Sequence, residues 1–196
     1  MARIISRQGR ALDFDDVMIV PKYNKVLSRR DVCFETQVTR NYRIKIPFIA
    51  ANMPDICESD MALAIHKEGG LGVLHRFMTI ENQANEVLKL QEAGVNLIAA
   101  AIGIKDYEER ARALVAAGAN ILVIDIAHGH SKYAGKVLDH LKRTYTNNID
   151  IVAGNIATKD AAEYFLSKGA DAVKAGIGPG KVCKTRDMTG VGVYQI

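Results

Sequence analysis

Six short apolar runs separated by amphipathic stretches constrain the fold of this chain more than any other feature of its sequence. The runs are continuously apolar instead of alternating with polar residues, which is typical of parallel strands covered on both faces. They predict strands at residues 47–53, 71–75, 97–103, 121–128, 151–156 and 172–178. Between them, apolar residues recur every three or four positions and predict helices at residues 59–67, 80–92, 106–116, 132–144 and 159–167.

A weak internal repeat supports this alternation of strand and helix. The segments Ala-Gly-Val-Asn at 93–96, Ala-Gly-Ala-Asn at 117–120 and Lys-Gly-Ala-Asp at 168–171 each place a glycine between a predicted helix and the next strand. Glycine takes the left-handed conformation that ends a helix, so the chain can turn back into the sheet at these points. The repeat therefore predicts consecutive βα units and an α/β fold.

Two α/β architectures fit these units: an open, doubly wound sheet and a (β/α)8 TIM barrel. A barrel usually takes about 250 residues. The chain has 196 residues and about six βα units, so length alone favours the open sheet. In either case we expect one domain spanning 1–196.

Composition narrows the class of protein and of partner. The chain is 48% hydrophobic and 24% charged, which is ordinary for a globular protein. We expect no membrane association, since no apolar run reaches roughly 18 residues and the start lacks a signal-peptide core. Three widely spaced cysteines favour a reducing, cytoplasmic location. The net charge of +4 is mild and spread along the chain, so we expect a small anionic ligand and not a nucleic acid.

Polar or reactive side chains stand at or just past the carboxyl ends of most of the predicted strands. In parallel α/β folds, ligands bind beyond the carboxyl ends of the strands, so these residues predict a site at one rim of the sheet. No carboxylate or cysteine stands at metal-ligand spacing from the histidines of this group, so we interpret them as a turn and not as zinc ligands. The group consists of Asn52, Met53, Asp55, His75, Arg76, Asp125, His128, His130, Asn155, Thr158 and Cys183.

The segment GIGPGKVC at 176–183 places one of these residues, Cys183, on a glycine-rich loop. The spacing matches neither an NTPase phosphate loop nor a dinucleotide fingerprint. Three cations follow or precede the cysteine closely, namely Lys181, Lys184 and Arg186. Positive charge lowers the pKa of a thiol, so Cys183 is a candidate nucleophile; the alternative is an incidental surface thiol.

The extended loop GIGPGKVCKTRDMTGVG resembles the catalytic loop of the IMP dehydrogenase/GMP reductase family. Further segments match the family in order: LDFDDVMIVP, IPFIAANM, GGLGVLHRF, VIDIAHGHS, VAGNIAT and GADAVKAGIGPG. The resemblance implies a (β/α)8 TIM barrel in place of the open sheet. It also implies a homotetramer that acts on a purine nucleoside monophosphate, GMP or IMP, with a nicotinamide cofactor.

The resemblance also implies a role for individual residues. Cys183 would attack C2 of the purine ring, and Thr185 would handle the proton at the same carbon. The implied binding residues are Asp125, Asn155 and Ala127 for the cofactor, Asn52, Met53, Gly180 and Lys181 for the substrate, and the backbone carbonyls of Gly178, Gly180 and Cys183 for a monovalent cation, with potassium the usual ion.

Local motifs favour the reductase branch, in which NADPH converts GMP to IMP and ammonia. The segments ANM, HRF and GPGKVC resemble reductases, and no insert of the CBS type interrupts 86–103; EGGLGVLH resembles dehydrogenases instead. The alternatives are an IMP dehydrogenase using NAD+, or an inactive truncated fragment, because family members continue through two more βα units. Three positions depart from the family pattern: Pro54, Lys181 and Tyr194, the last standing where proline is usual.

Overall fold

A computed structural model describes residues 17–146, 148–180 and 182–194. A short antiparallel hairpin of β1 (Thr36–Gln37) and β2 (Arg43–Ile44) precedes a parallel sheet of six strands. The sheet consists of β3 (Ile49–Ala50), β4 (Leu71–Leu74), β5 (Ala99–Ile102), β6 (Ile121–Asp125), β7 (Asp150–Ile156) and β8 (Ala172–Ala175).

Every strand of this sheet pairs with its neighbour in sequence, in the order β3-β4-β5-β6-β7-β8. Right-handed crossovers between strands in such an order place all helices on one face, so the sheet curls around the other. A doubly wound sheet would instead reverse direction at a switch point. The half-barrel confirms the predicted α/β class and the barrel architecture over the open sheet.

In the described part of the chain six α-helices accompany the strands, and three of them begin at a hydroxyl side chain. The helices are α1 (Ser59–Lys67), α2 (Ile80–Glu92), α3 (Tyr107–Ala117), α4 (Lys132–Tyr145), α5 (Lys159–Ser167) and the short α6 (Thr185–Thr189). Thr79, Ser131 and Thr158 each accept a hydrogen bond from the third backbone N–H of α2, α4 and α5. Such caps satisfy N–H groups that have no partner within the helix, which explains these starting points.

Alternate residues of the strands face two separate cores. In β6, Leu122 and Ile124 pack outward against the helices, and Ile121 and Val123 pack inward. The inward core also includes Ile44 of the hairpin, which closes the amino-terminal end of the half-barrel. By the same alternation Asp125 extends the inward row of β6, so its carboxylate is delivered to the carboxyl-end rim.

Candidate active site

Asp125 lies between two cations where β6 ends. Lys174 Nζ of β8 is 3.5 Å from Asp125 Oδ1, and Arg76 Nε is 3.7 Å from Asp125 Oδ2. Arg76 Nε also donates to the Asp125 backbone carbonyl at 3.1 Å. The Asp125 side chain is only 13% exposed, so an unpaired carboxylate would be costly here. The two cations therefore provide partners for its oxygens, which face the inside of the half-barrel as hydrogen-bond acceptors.

Asn155 is fixed at three points beside this carboxylate. Its side-chain Oδ1 accepts from Lys174 Nζ at 2.9 Å, its N–H donates to the Ile126 carbonyl at 2.8 Å, and its carbonyl accepts from Gly129 N–H at 2.7 Å. Because lysine only donates, the Asn155 oxygen must face Lys174. The amide Nδ2 then remains as a donor with no acceptor among the residues that the structure describes.

Two of the predicted substrate residues, Asn52 and Met53, follow β3, the first strand of the half-barrel. Asn52 is buried and lines a cleft of about 270 Å³ on the inward face, together with Lys174 of the last strand. Met53 is 56% exposed, and its carbonyl accepts the N–H groups of Ile56 and Cys57. Ala127, predicted to contact the cofactor, is exposed in the turn that follows β6. Asn52 and Lys174 thus line the same inward cleft, whereas Met53 and Ala127 lie on the accessible surface.

Cys183 lies next to Thr185 at the start of α6. Its Sγ and Thr185 Oγ1 are 3.3 Å apart, and its N–H donates to the Gly180 carbonyl at 3.1 Å. Hydrogen bonds from the Thr185 hydroxyl and backbone N–H lower the pKa of the Cys183 thiol, and Arg186 adds to this, while partial burial and Asp187 oppose it. The direction agrees with the sequence-based expectation. The leading cause is a hydroxyl and not the cluster of cations.

The predicted cation site does not fit the loop geometry at Gly180. The Gly180 carbonyl already accepts from Cys183 N–H and from Arg186 Nη2, the latter at 3.2 Å. Gly178 has φ +58, a conformation that favours glycine. Lys181, a predicted substrate residue, lies outside the described part of the chain.

Lys174 was not predicted as a site residue from the sequence, and Arg76 was predicted at the rim without a specific role. Lys174 is the one charged residue within the last apolar run, and alternation places it on the inward face with Ala172. That isolated charge is the sequence feature from which a site role for Lys174 could have been predicted. Arg76 gave a weaker signal, because its partner Asp125 is 49 positions away in sequence.

None of the helices in the described residues is both long and apolar enough to cross a membrane. Within those same residues no three histidine, cysteine or acidic side chains form a cluster suited to a metal ion.

Comparisons with known proteins agree with one another. Residues 11–196 match the family described as "IMP dehydrogenase / GMP reductase domain". The chain is 36% identical to the inosine-5'-monophosphate dehydrogenase of Cryptosporidium parvum, over 96% of this chain and 56% of that protein. It is 37% identical to the enzyme of the same name from Borreliella burgdorferi, over 95% and 58% respectively. A GMP reductase from Leishmania major is 28% identical, over 94% of this chain and 65% of its own length.

The chain therefore spans just over half the length of the first two relatives and less than two thirds of the third. The family match extends over nearly all of the chain and includes the glycine loop, Cys183 and the rim residues Asp125, Asn155 and Lys174. The chain belongs to the IMP dehydrogenase / GMP reductase domain family.

Proposed function

We propose that this chain forms the thiol-bearing part of a purine nucleotide oxidoreductase of the GMP reductase type. The observation that carries the proposal is the 3.3 Å contact between Cys183 Sγ and Thr185 Oγ1 on the glycine loop. A thiol whose pKa is lowered by a neighbouring hydroxyl, and which is not fully buried, combines the accessibility and the thiolate character that a nucleophile needs.

Cys183 would act at C2 of the purine ring of GMP. Its thiolate forms a bond to C2, and the amino group at that carbon leaves as ammonia after taking up protons. Thr185, in contact with the sulfur, is placed to move one of these protons. Cys183 then leaves C2 as a thiolate when a hydride has replaced the amino group, and IMP is released. Covalent attachment divides one difficult substitution into two easier steps.

The rim residues fit the carboxamide end of a nicotinamide cofactor. Asp125 offers carboxyl oxygens as acceptors, and Asn155 offers an amide N–H donor whose direction is fixed by Lys174. A carboxamide carries one donor group and one acceptor, so this pair complements it. Asp125, Asn155 and Lys174 would hold the cofactor, and when bound it supplies the hydride in the reductase reaction or accepts one in the dehydrogenase reaction.

IMP dehydrogenase is the second candidate function. The relatives with the highest identities reported above, 36% and 37%, are both named inosine-5'-monophosphate dehydrogenase, and the GMP reductase stands at 28%. In that reaction Cys183 would add to C2 of IMP, a hydride would leave for NAD+, and water would release XMP from the thiol. The same cysteine and rim residues serve both directions.

Replacement of Cys183 by alanine tests the proposal. The C183A chain should lose turnover while retaining affinity for a purine monophosphate, because the thiol forms the bond to C2 and the rim residues are unchanged. Matched measurements on Cys33→Ala, which removes an exposed thiol elsewhere, should show unchanged turnover. Full turnover by the C183A chain would contradict the proposed role of the thiol.

Several properties predicted from the sequence or implied by the resemblance stay predictions. These are the preference for NADPH over NAD+, the homotetramer, the cytoplasmic location and the organisation of 1–196 as a single catalytic domain. An inactive fragment stays the non-enzymatic alternative, and it predicts a Cys183 thiol that a purine monophosphate does not protect from alkylation.

A further inference from the structure

The side chain of Arg186 passes through a slot between two glycines. A Cβ atom built on Gly178 would lie 2.8 Å from Arg186 Cγ, and one built on Gly192 would lie closer still. Any other residue at either position would displace the arginine stem. The slot therefore fixes the path of Arg186 across the loop formed by residues 176–194, which we call the Cys183 loop.

The guanidinium of Arg186 ends on the backbone of this loop. Its Nη2 donates to the Gly180 carbonyl at 3.2 Å, and its Cζ lies 4.6 Å from the centre of the Tyr194 ring. The first contact is a charge-assisted hydrogen bond and the second a cation–π interaction. Tyr194 stands where the family pattern given above usually has proline, so this ring is a departure from that pattern.

The Gly180 carbonyl has no capacity left for a further ligand. A carbonyl oxygen has two lone pairs, and here Cys183 N–H and Arg186 Nη2 occupy both. A second positive charge beside the guanidinium would also be repelled. Cation sites built from backbone carbonyls need several free oxygens, and Gly180 does not supply one.

We propose that Arg186 is the internal cation of the Cys183 loop and replaces a monovalent metal ion at Gly180. The guanidinium supplies the positive charge and satisfies the carbonyl, and Tyr194 holds the guanidinium in place. Lys184, also on the loop, is exposed and donates to no loop carbonyl among the described residues. The order of the loop should therefore be independent of potassium and should depend on Arg186.

Hydrogen–deuterium exchange of the full chain, resolved to peptides covering 176–194, tests this proposal. The chain is measured in potassium chloride and in choline chloride at equal ionic strength, since choline is too large for a carbonyl site. The variants are Arg186→Met and, as a matched control for the loss of one charge, Lys184→Met. The readout needs no turnover, so failure of this proposal is distinguishable from failure of the proposed function.

We expect the unchanged chain and K184M to exchange at the same rate in both salts. In R186M the loop amides should exchange roughly tenfold faster in choline chloride, since a charge-assisted hydrogen bond and a cation–π contact are lost. Slower exchange of the unchanged chain in potassium than in choline would overturn the proposal. So would an R186M loop that exchanges no faster than the unchanged one.

Discussion

Thr185 stands two positions after Cys183, and the turn that begins α6 brings its hydroxyl to 3.3 Å from the thiol sulfur. The Thr185 backbone N–H also contributes to the lowered pKa of the thiol. A hydrogen bond to the charged form of a group favours that form, so the hydroxyl stabilises the thiolate. The lowered pKa of the Cys183 thiol is therefore a local property of the sequence C-x-T.

Replacement of Thr185 by valine should raise the pKa of the Cys183 thiol. The side-chain hydrogen bond is lost, so the thiolate forms at higher pH and alkylation by iodoacetamide slows at neutral pH. Thr185→Ser keeps the hydroxyl and should react like the unchanged chain. The measurement is peptide-resolved mass spectrometry of alkylation across a pH series, with Cys33 as the internal reference. An alkylation midpoint that does not move in T185V would refute this cause.

At the residue scale the sequence predicted the members of the site better than their mutual contacts. Asp125 and Asn155 lie near the carboxyl ends of neighbouring strands, β6 and β7, so the order of the strands brings them together. The link between them is Lys174, whose side chain reaches both. That contact depends on the curvature of the sheet between β6 and β8, which local patterns do not encode.

Helix α1 begins without a capping side chain of its own. Glu58 at the cap position makes no side-chain hydrogen bond, and Glu86 of α2 accepts from Ser59 N–H at 2.8 Å instead. Burial of Glu86 favours its neutral form, but hydrogen bonds from Lys89 and Ser59 outweigh it and lower the carboxyl pKa. The start of α1 is thus set by a neighbouring helix.

Glu86→Gln should destabilise the chain by about 1 kcal/mol at neutral pH, because a charge-assisted bond becomes a neutral one. Since the folded pKa is lowered, this stability is fully present above the unfolded value of about 4.3 and is lost as pH falls through the folded pKa. The difference in urea unfolding free energy between the two chains should therefore shrink in acid. Glu81→Gln, a change in the exposed first turn of α2, is the control.

The sequence predicted the helices more closely than the strands. Three predicted helices match α1, α2 and α5 to the residue, because apolar spacing is a local signal and, for α2 and α5, so is the hydroxyl cap. The predicted strand at 121–128 ends at Asp125, since the chain turns to meet the Gly154–Asn155 backbone. Apolar composition continues past the last ladder hydrogen bond, so it does not mark where pairing stops. The two-residue strands β1 and β2 were too short for any periodicity.

At the scale of the whole molecule, one carboxylate joins the hairpin to the half-barrel. The Asp171 side chain is 2% exposed and accepts from Lys142 Nζ and from Ile151 N–H, each at 2.8 Å. Arg40 of the hairpin lies 3.4 Å from its other oxygen and donates its backbone N–H to the Asp171 carbonyl. This residue therefore connects the β1–β2 turn, α4 and β7 at the amino-terminal end of the half-barrel.

Asp171→Asn should lower the free energy of unfolding by about 2 to 3 kcal/mol, because Lys142 loses a buried counter-charge. Turnover per folded molecule should be unchanged, since the opposite end of the strands carries the site. Asp160→Asn, at an exposed position of α5, should leave stability within about 0.5 kcal/mol. Urea unfolding of the two variants measures the difference, and equal stabilities would refute the connecting role of Asp171.

Length favoured the open sheet, and the family resemblance favoured the barrel. The consecutive strand order decides in favour of the barrel, because it places every crossover helix on the outward face. Residues of β4, β5 and β6 are buried on both faces and are divided between the inward and outward cores that this architecture requires. Strand order depends on long-range pairing, which the periodicity of single segments cannot fix.

The most direct measurement follows the near-ultraviolet absorbance of the reduced nicotinamide in two parallel reactions, GMP with NADPH and IMP with NAD+. We predict that absorbance falls in the first reaction and that the C183A chain shows no such fall. A gain in the second reaction alone would identify the dehydrogenase instead. No change in either reaction, with folded protein and bound nucleotide demonstrated, would contradict the claim that Cys183 and the rim residues of this chain form a working oxidoreductase site.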